Sequence, residues 1–164
     1  MAVVFSKLGL RKSDIFIDIG CGTGKISINA ATLVKWVYGV DMRMEAVNHA
    51  MNWAATEGVG NAEFFCGDAG DFLERTDSVD AAFVGGSKDL PRVLSLLAEK
   101  ETRTIVVNAV LIETVYEAIR EMKRLGIYGE ATLVSVSHSY SLGRGTIFRP
   151  LDPVYIISGG RREC

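Results

Sequence analysis

Ile15-Phe16-Ile17-Asp18-Ile19-Gly20-Cys21-Gly22-Thr23-Gly24 is the stretch that decides the fold. Ile15, Phe16, Ile17 and Ile19 make a short, nearly continuous apolar run rich in β-branched residues, which reads as a strand buried on both faces. Three glycines at alternate positions, Gly20, Gly22 and Gly24, follow at once, and residues 25–34 then read as a helix. Glycines in such a loop let the backbone turn tightly and let a ligand lie against it with no Cβ in the way. The next strand, residues 36–40, runs into Asp41, an acid placed to accept hydrogen bonds from ribose hydroxyls.

Strand, glycine loop, helix and second acid in this order describe a nucleotide site. The dinucleotide fingerprint spaces its glycines G-x-G-x-x-G and sets a pyrophosphate on the helix N-terminus. Here the spacing is G-x-G-x-G, with Asp18 two residues before the first glycine. An acid at the mouth disfavours a pyrophosphate and suits a cationic ligand. The pattern Asp18-x-Gly20-x-Gly22-x-Gly24 resembles the first motif of class I S-adenosylmethionine-dependent methyltransferases. That resemblance implies a Rossmann-like α/β domain with a seven-stranded, mostly parallel sheet whose last strand is antiparallel. It also implies S-adenosylmethionine as cofactor, held by Asp18, Gly20, Cys21, Gly22, Thr23 and Gly24 in the loop. Asp41 would meet its ribose and Asp68 its adenine amino group, with Met42, Ala69 and Gly85 also binding the cofactor. Asp68 has an alternative reading as the N-cap of the helix that follows it.

Size and composition agree with one domain spanning 1–164. A chain of 164 residues buries about two-thirds of its unfolded surface. Hydrophobic residues at 48% and charged ones at 23% are ordinary for a globular chain. The net charge of −2 offers no basic field for a nucleic-acid backbone. Cys21, Cys66 and Cys164 are odd in number and lack metal-ligand spacing, so a reduced, cytoplasmic protein with no bound metal is expected. No apolar run approaches the ~18 residues of a membrane span.

Further along, residues 2–8 read as the tail of a helix capped by Gly9, residues 44–56 as a helix and 62–66 as a third strand. His49 reads as a solvent-facing helical residue. Residues 79–84 form a fourth strand ending in Gly85-Gly86-Ser87, where parallel strands place their ligands, so these residues belong beside the transferable methyl group. Methyltransferases of base amines or protein glutamine usually carry Asn/Asp-Pro-Pro-Tyr/Phe at this point. Two glycines instead open space for a bulky substrate. Residues 90–100 read as a helix and 104–109 as a fifth strand, with Asn108 at its end. A helix over 113–125 begins on Glu113, a carboxylate that either complements the helix dipole or faces the substrate. Residues 130–138 alternate as an antiparallel edge strand, and 154–157 supply the last strand. The connection 139–152 between them is long and carries Leu142, Ile147, Phe148 and Leu151, apolar residues that line a ligand cavity or meet another subunit.

The second half sharpens the resemblance. Phe83-Val84-Gly85-Gly86-Ser87, Ile105 to Thr114 with its Leu111-Ile112-Glu113-Thr114, Arg144-Gly145-Thr146 and Asp152 to Ile157 together resemble the decarboxylating cobalt-precorrin-6B C15-methyltransferases of anaerobic cobalamin synthesis. They resemble equally the carboxy-terminal half of the fused precorrin-6Y methyltransferases. Members usually have Asn-Pro-Val where this chain has Asp152-Pro153-Val154. They also carry a leading segment before the first helix, which is expected to be missing here. The resemblance implies transfer of a methyl group to C15 of a corrinoid and loss of carbon dioxide from the C12 acetate. It implies a homotetramer as well. Alignment of donor and acceptor supplies several kcal/mol of such a barrier, so no triad or metal cluster is needed. Glu113, Asn108 and Ser87 are the candidate catalytic residues. Gly86, Lys88, Arg144 and Arg149 are candidates to meet the substrate, arginine forks being suited to its carboxylates. Arg43 stands behind them. The rival readings are another class I small-molecule methyltransferase and a noncatalytic, cofactor-binding assembly subunit.

Overall fold

A computed structural model describes residues 1–86 and 88–161. Helix α1 (Ala2–Leu8) ends on Gly9 in the left-handed conformation, whose N–H returns to the Phe5 carbonyl. Strand β1 (Ile15–Ile19) leads through the glycine loop into α2 (Lys25–Ala31), followed by β2 (Trp36–Asp41), α3 (Met44–Thr56) and β3 (Ala62–Cys66). The chain continues through α4 (Ala69–Arg75), β4 (Ala81–Val84), α5 (Leu90–Glu99), β5 (Thr104–Ala109) and α6 (Ile112–Arg124). It ends with β6 (Tyr128–Val134), β7 (Ser137–Leu142), β8 (Gly145–Pro150) and β9 (Val154–Gly159).

Seven strands form one sheet in the order β3-β2-β1-β4-β5-β9-β6. All neighbours from β3 to β5 are parallel, and β9 runs antiparallel between β5 and β6. Strand order reverses between β1 and β4, and in open α/β sheets the ligand crevice lies outside the carboxyl ends at that switch point. The sheet buries both faces, which explains the unbroken apolar runs. On one face Ile17, Ile19, Val84, Ile105 and Val107 pack with Leu73 of α4, Leu94 and Leu97 of α5 and Met122 of α6. On the other Phe16, Val37, Phe83 and Val106 pack with Val4 and Leu8 of α1 and Ala30 of α2. Phe16 and Leu8 are fully buried, each contributing about 1.5–3 kcal/mol.

Two expectations from the sequence need correction. Helix α2 stops at Ala31 rather than 34, because Leu33 N–H reaches back only three residues to the Ala30 carbonyl and the Thr32 hydroxyl takes the Asn29 carbonyl. The alternating run 130–138 is not one strand. Its first part pairs with β9 as far as Val134 opposite Val154. Beyond a break at 135–136 the chain pairs with itself, Ser137 opposite Pro150 through Leu142 opposite Gly145, as a separate two-stranded arm. The long connection is therefore a hairpin with a two-residue turn at Gly143-Arg144, Gly143 taking the positive φ of 58° such turns require. Alternation does not mark where a strand changes partner.

Candidate functional site

At the switch point the glycine loop is stapled to its neighbours by backbone bonds. Gly20 and Cys21 N–H both donate to the Val40 carbonyl (2.8 and 3.1 Å), and Gly85 N–H donates to the Ile19 carbonyl (2.8 Å). Gly20 has φ +72°, and a Cβ there would stand 2.6 Å from the Gly86 carbonyl oxygen. Only glycine lets these two loops approach, and their approach forms the floor of a cleft of about 250 Å³. Its wall comes from Ile19 and Gly20, from Val40 to Arg43, from Gly67 to Ala69, and from Gly85, Gly86 and Lys88.

Asp41 is the best-connected acid of the cleft. Its Oδ1 accepts Arg43 N–H and Nε–H, both at 3.0 Å, and its Oδ2 accepts Gly22 N–H at 2.9 Å and an Arg43 terminal N–H at 3.1 Å. The Arg43 side-chain bonds, reinforced by the two backbone donors, hold this carboxyl below the usual carboxylate range against the effect of burial. Asp68 caps α4: its Oδ1 accepts Gly70 and Asp71 N–H at 2.9 and 3.1 Å and an Arg92 N–H at 3.3 Å. Capping uses one oxygen, so the same carboxylate still stands in the cleft wall. The N-cap reading of Asp68 is borne out.

Asp18 sits elsewhere than the sequence suggested. It shares a sheet face with Phe16, lies under the loop rather than at the mouth, and is 1% exposed. Its Oδ2 accepts Ser27 N–H at 3.0 Å and Ser27 Oγ–H at 2.5 Å, tying the loop's far end to α2. Burial pushes its carboxyl up to about 6, with Ser27 opposing and Asp41 adding to the rise. Oδ1 is buried without a hydrogen-bond partner among the described residues. Cys21 is likewise buried, and burial beside Asp18 and Asp41 pushes its thiol up to about 12. Gly22 and Thr23 face a neighbouring groove shared with Arg43, Glu45 and His49, while Gly24 is the buried N-cap of α2.

Of the remaining sequence candidates, Met42, Ala69, Gly85, Gly86 and Lys88 are brought together in the cleft wall. Ser87 lies outside the described residues. Asn108, half-buried at the end of β5, has its Oδ1 buried and unpartnered among the described residues. Glu113 is exposed in the first turn of α6, on a separate shallow groove with Tyr116 and Arg120. Arg144 and Arg149 are on the arm, Arg144 in its turn and Arg149 stacked 5.1 Å over the Tyr140 ring. Neither reaches the cleft wall of its own chain. Sequence reasoning missed Arg92, which also binds Asp71 and Glu74 at 2.8 and 2.7 Å and so clamps α4 against α5. Nothing in the sequence links positions 68 and 92. No cluster able to hold a metal ion exists among the described residues, and no helix described is long and apolar enough to cross a membrane.

The residues present fit an adenosyl ligand. A loop floor that a Cβ would fill, an acid at the end of β2 and a second acid after β3 offer acceptors for hydroxyls and an amino group. Comparison with known proteins agrees. Residues 1–160 match the family model described as precorrin methyltransferase domain. A probable cobalt-precorrin-6B C(15)-methyltransferase (decarboxylating) of Methanosarcina mazei is 45% identical, covering 99% of this chain and 91% of that protein. Its counterpart from Archaeoglobus fulgidus is 35% identical over 98% and 94%. The crystal structure of precorrin 8W decarboxylase from Methanobacterium thermoautotrophicum superposes with a TM-score of 0.91 at 31% identity, covering 97% of this chain and 88% of that one. This chain belongs to the precorrin methyltransferase domain family.

Proposed function

We propose that the protein methylates cobalt-precorrin-6B at C15, using S-adenosylmethionine, and removes the C12 acetate carboxylate as carbon dioxide, in cobalamin biosynthesis in the cytoplasm. The observation that carries this reading is 45% identity to a relative of that name over 99% of the chain. The protein is thus a decarboxylating, S-adenosylmethionine-dependent methyltransferase. Bound in the cleft, the cofactor supplies a methyl group already activated by its sulfonium.

The chain's own contribution is placement. Asp41 takes the ribose hydroxyls, Asp68 the adenine amino group, and the loop from Gly20 to Gly22 runs along the amino-acid end. Gly85 and Gly86 leave the space where a ring carbon must come within reach of the methyl group. Such alignment is worth several kcal/mol. The nucleophile is an electron-rich ring carbon, so the absence of a histidine from the described cleft wall is chemically acceptable. Lys88 at the rim offers a cation to one of the substrate's carboxylates. Asn108, whose buried oxygen lacks a partner among the described residues, is the polar group at the end of β5 assigned to respond to the ring.

The assembly is a homotetramer in this reading. Every residue of β7 and β8 is exposed, Leu142 by 63% and Phe148 by 70%, and a lone hairpin is marginally stable in water. Other copies of the chain covering the arm would remove both costs, and would bring Arg144 and Arg149 toward a neighbour's ring substrate. Mass spectrometry of cobalt-precorrin-6B incubated with protein and S-adenosylmethionine tests the activity. The expected product has gained one methylene and lost one carbon dioxide, and a corrinoid of unchanged mass would refute the assignment.

A further inference from the structure

The ribose acid has no vacant place for a ribose. An ionised carboxylate offers about four acceptor positions, and Asp41 has four donors: the backbone N–H groups of Gly22 and Arg43 and two N–H groups of the Arg43 guanidinium. The two backbone donors are fixed by the loop and by the start of α3. The guanidinium is the exchangeable pair, since the Arg43 side chain is 71% exposed while Asp41 is 6% exposed. It approaches the carboxylate as a two-point fork, the strongest geometry for that pairing. Ribose presents two vicinal hydroxyls, which form a fork of the same kind. The two forks compete for the same oxygens.

A second acceptor for the displaced arginine lies beside the first. Glu45, in the first turn of α3, lines the groove that Arg43 also lines, along with Gly22, Thr23 and His49. It already acts electrostatically on Arg43, though less than Asp41 does. We infer that Arg43 is a latch on the cofactor site, holding Asp41 until the ribose hydroxyls replace its guanidinium, which then passes to Glu45. The inference rests on the ribose role proposed for Asp41. It gives the latch a definite energetic consequence: the fraction of molecules with Arg43 on Asp41 is subtracted from those competent to bind, and apparent affinity falls by that factor.

Calorimetric titration of the whole chain with S-adenosylhomocysteine tests this. R43Q removes the fork and keeps the backbone donor, and its binding should tighten by about 5- to 10-fold, the gain from freeing a site latched about 80–90% of the time. E45Q should weaken binding by about 2-fold, because the released arginine loses its resting place. In a D41N background, R43Q should change nothing, there being no carboxylate to latch. Binding by R43Q that is unchanged or weaker overturns the latch, as does a tightening that persists with D41N. The ribose role fails separately: if the D41N/R43Q double variant binds like R43Q, neither of which is latched, Asp41 does not hold the ribose at all. Thermal melting of R43Q and E45Q, expected within about 2 °C of wild type, shows that their affinity changes are not unfolding, and D41N, which loses a stabilising carboxylate, is titrated below its own melting temperature.

Discussion

The glycine loop and the β7–β8 arm both emerge at the carboxyl end of the sheet, and they are built in opposite ways. Around the glycine loop, polar groups bond to neighbouring elements: Val40 takes two loop N–H groups, Ser27 of α2 binds Asp18, and Gly22 binds Asp41. The arm's ladder pairs only with itself, and its residues are exposed throughout. Both contain a glycine at similar positive φ, Gly20 at 72° and Gly143 at 58°. What differs is the surroundings. A Cβ on Gly20 would strike the backbone of Gly86, whereas one on Gly143 would meet nothing within 4 Å. Shape in the loop is set by close approach, and in the arm by the turn alone.

That contrast breaks most visibly if the two glycines are exchanged for alanine. Gly20→Ala should abolish measurable binding of S-adenosylhomocysteine by calorimetry, since the strain of about 1–3 kcal/mol is joined by a clash with backbone that cannot yield. Gly143→Ala should cost only the backbone strain, about 1–2 kcal/mol, and leave that affinity as it was. Equal effects would mean that conformation, not approach, governs both.

The next largest effect concerns pH. Asp18 ionises at about 6 in the fold against 3.8 as its ordinary value, so the unfolded chain gives up this proton first. The stability from Asp18 is therefore full below pH 3.8, is lost as pH rises through about 6, and is level above. The loss is on the order of 3 kcal/mol. Asp41 has the opposite sign, since its lowered value stabilises at neutral pH and is lost on acidification below the usual carboxylate range. Denaturant unfolding across pH 4–6 should show Asp18→Asn with a flatter profile than wild type. A parallel profile would place the buried proton elsewhere.

Smaller effects are expected from the arm. Replacing Leu142 and Phe148 together by serine should shift sedimentation from the proposed tetramer to smaller species. Because both side chains are exposed in the chain, stability of the single subunit should change by only about 0.5 kcal/mol. An intact tetramer would show that the arm is not the contact. Smallest of all, Arg144→Ala should raise KM for the corrinoid several-fold while KM for S-adenosylmethionine stays constant. Matched changes in both would indicate a general defect.

What could be read from the sequence follows the same division. The apolar run before Gly20, the glycines at alternate positions and the acid after the second strand carry local signals, so β1, its loop and Asp41 are legible directly. The buried orientation of Asp18 was also legible in principle, because it has the same parity as Phe16 on a strand of period two. The arm was not, since Ser137 to Leu142 alternates serine with larger residues as an edge strand would, and nothing in that pattern marks that it pairs with Gly145 to Pro150 instead of with β9. Ties such as Arg92 to Asp68 depend on which helices the fold sets side by side. The bidentate grip of Arg43 on Asp41, two residues away, depends on how sharply β2 turns into α3. Neither leaves a mark in composition or spacing.

Cys21 carries one last implication. A sulfur nucleophile in the middle of a loop proposed to hold an alkylating agent invites the protein to modify itself. The reactive form is the thiolate, and a thiol that ionises at about 12 exposes it in roughly one molecule in a hundred thousand at pH 7. Burial beside Asp18 and Asp41 disfavours the reactive thiolate, which in the proposed complex spares the methyl group for the substrate.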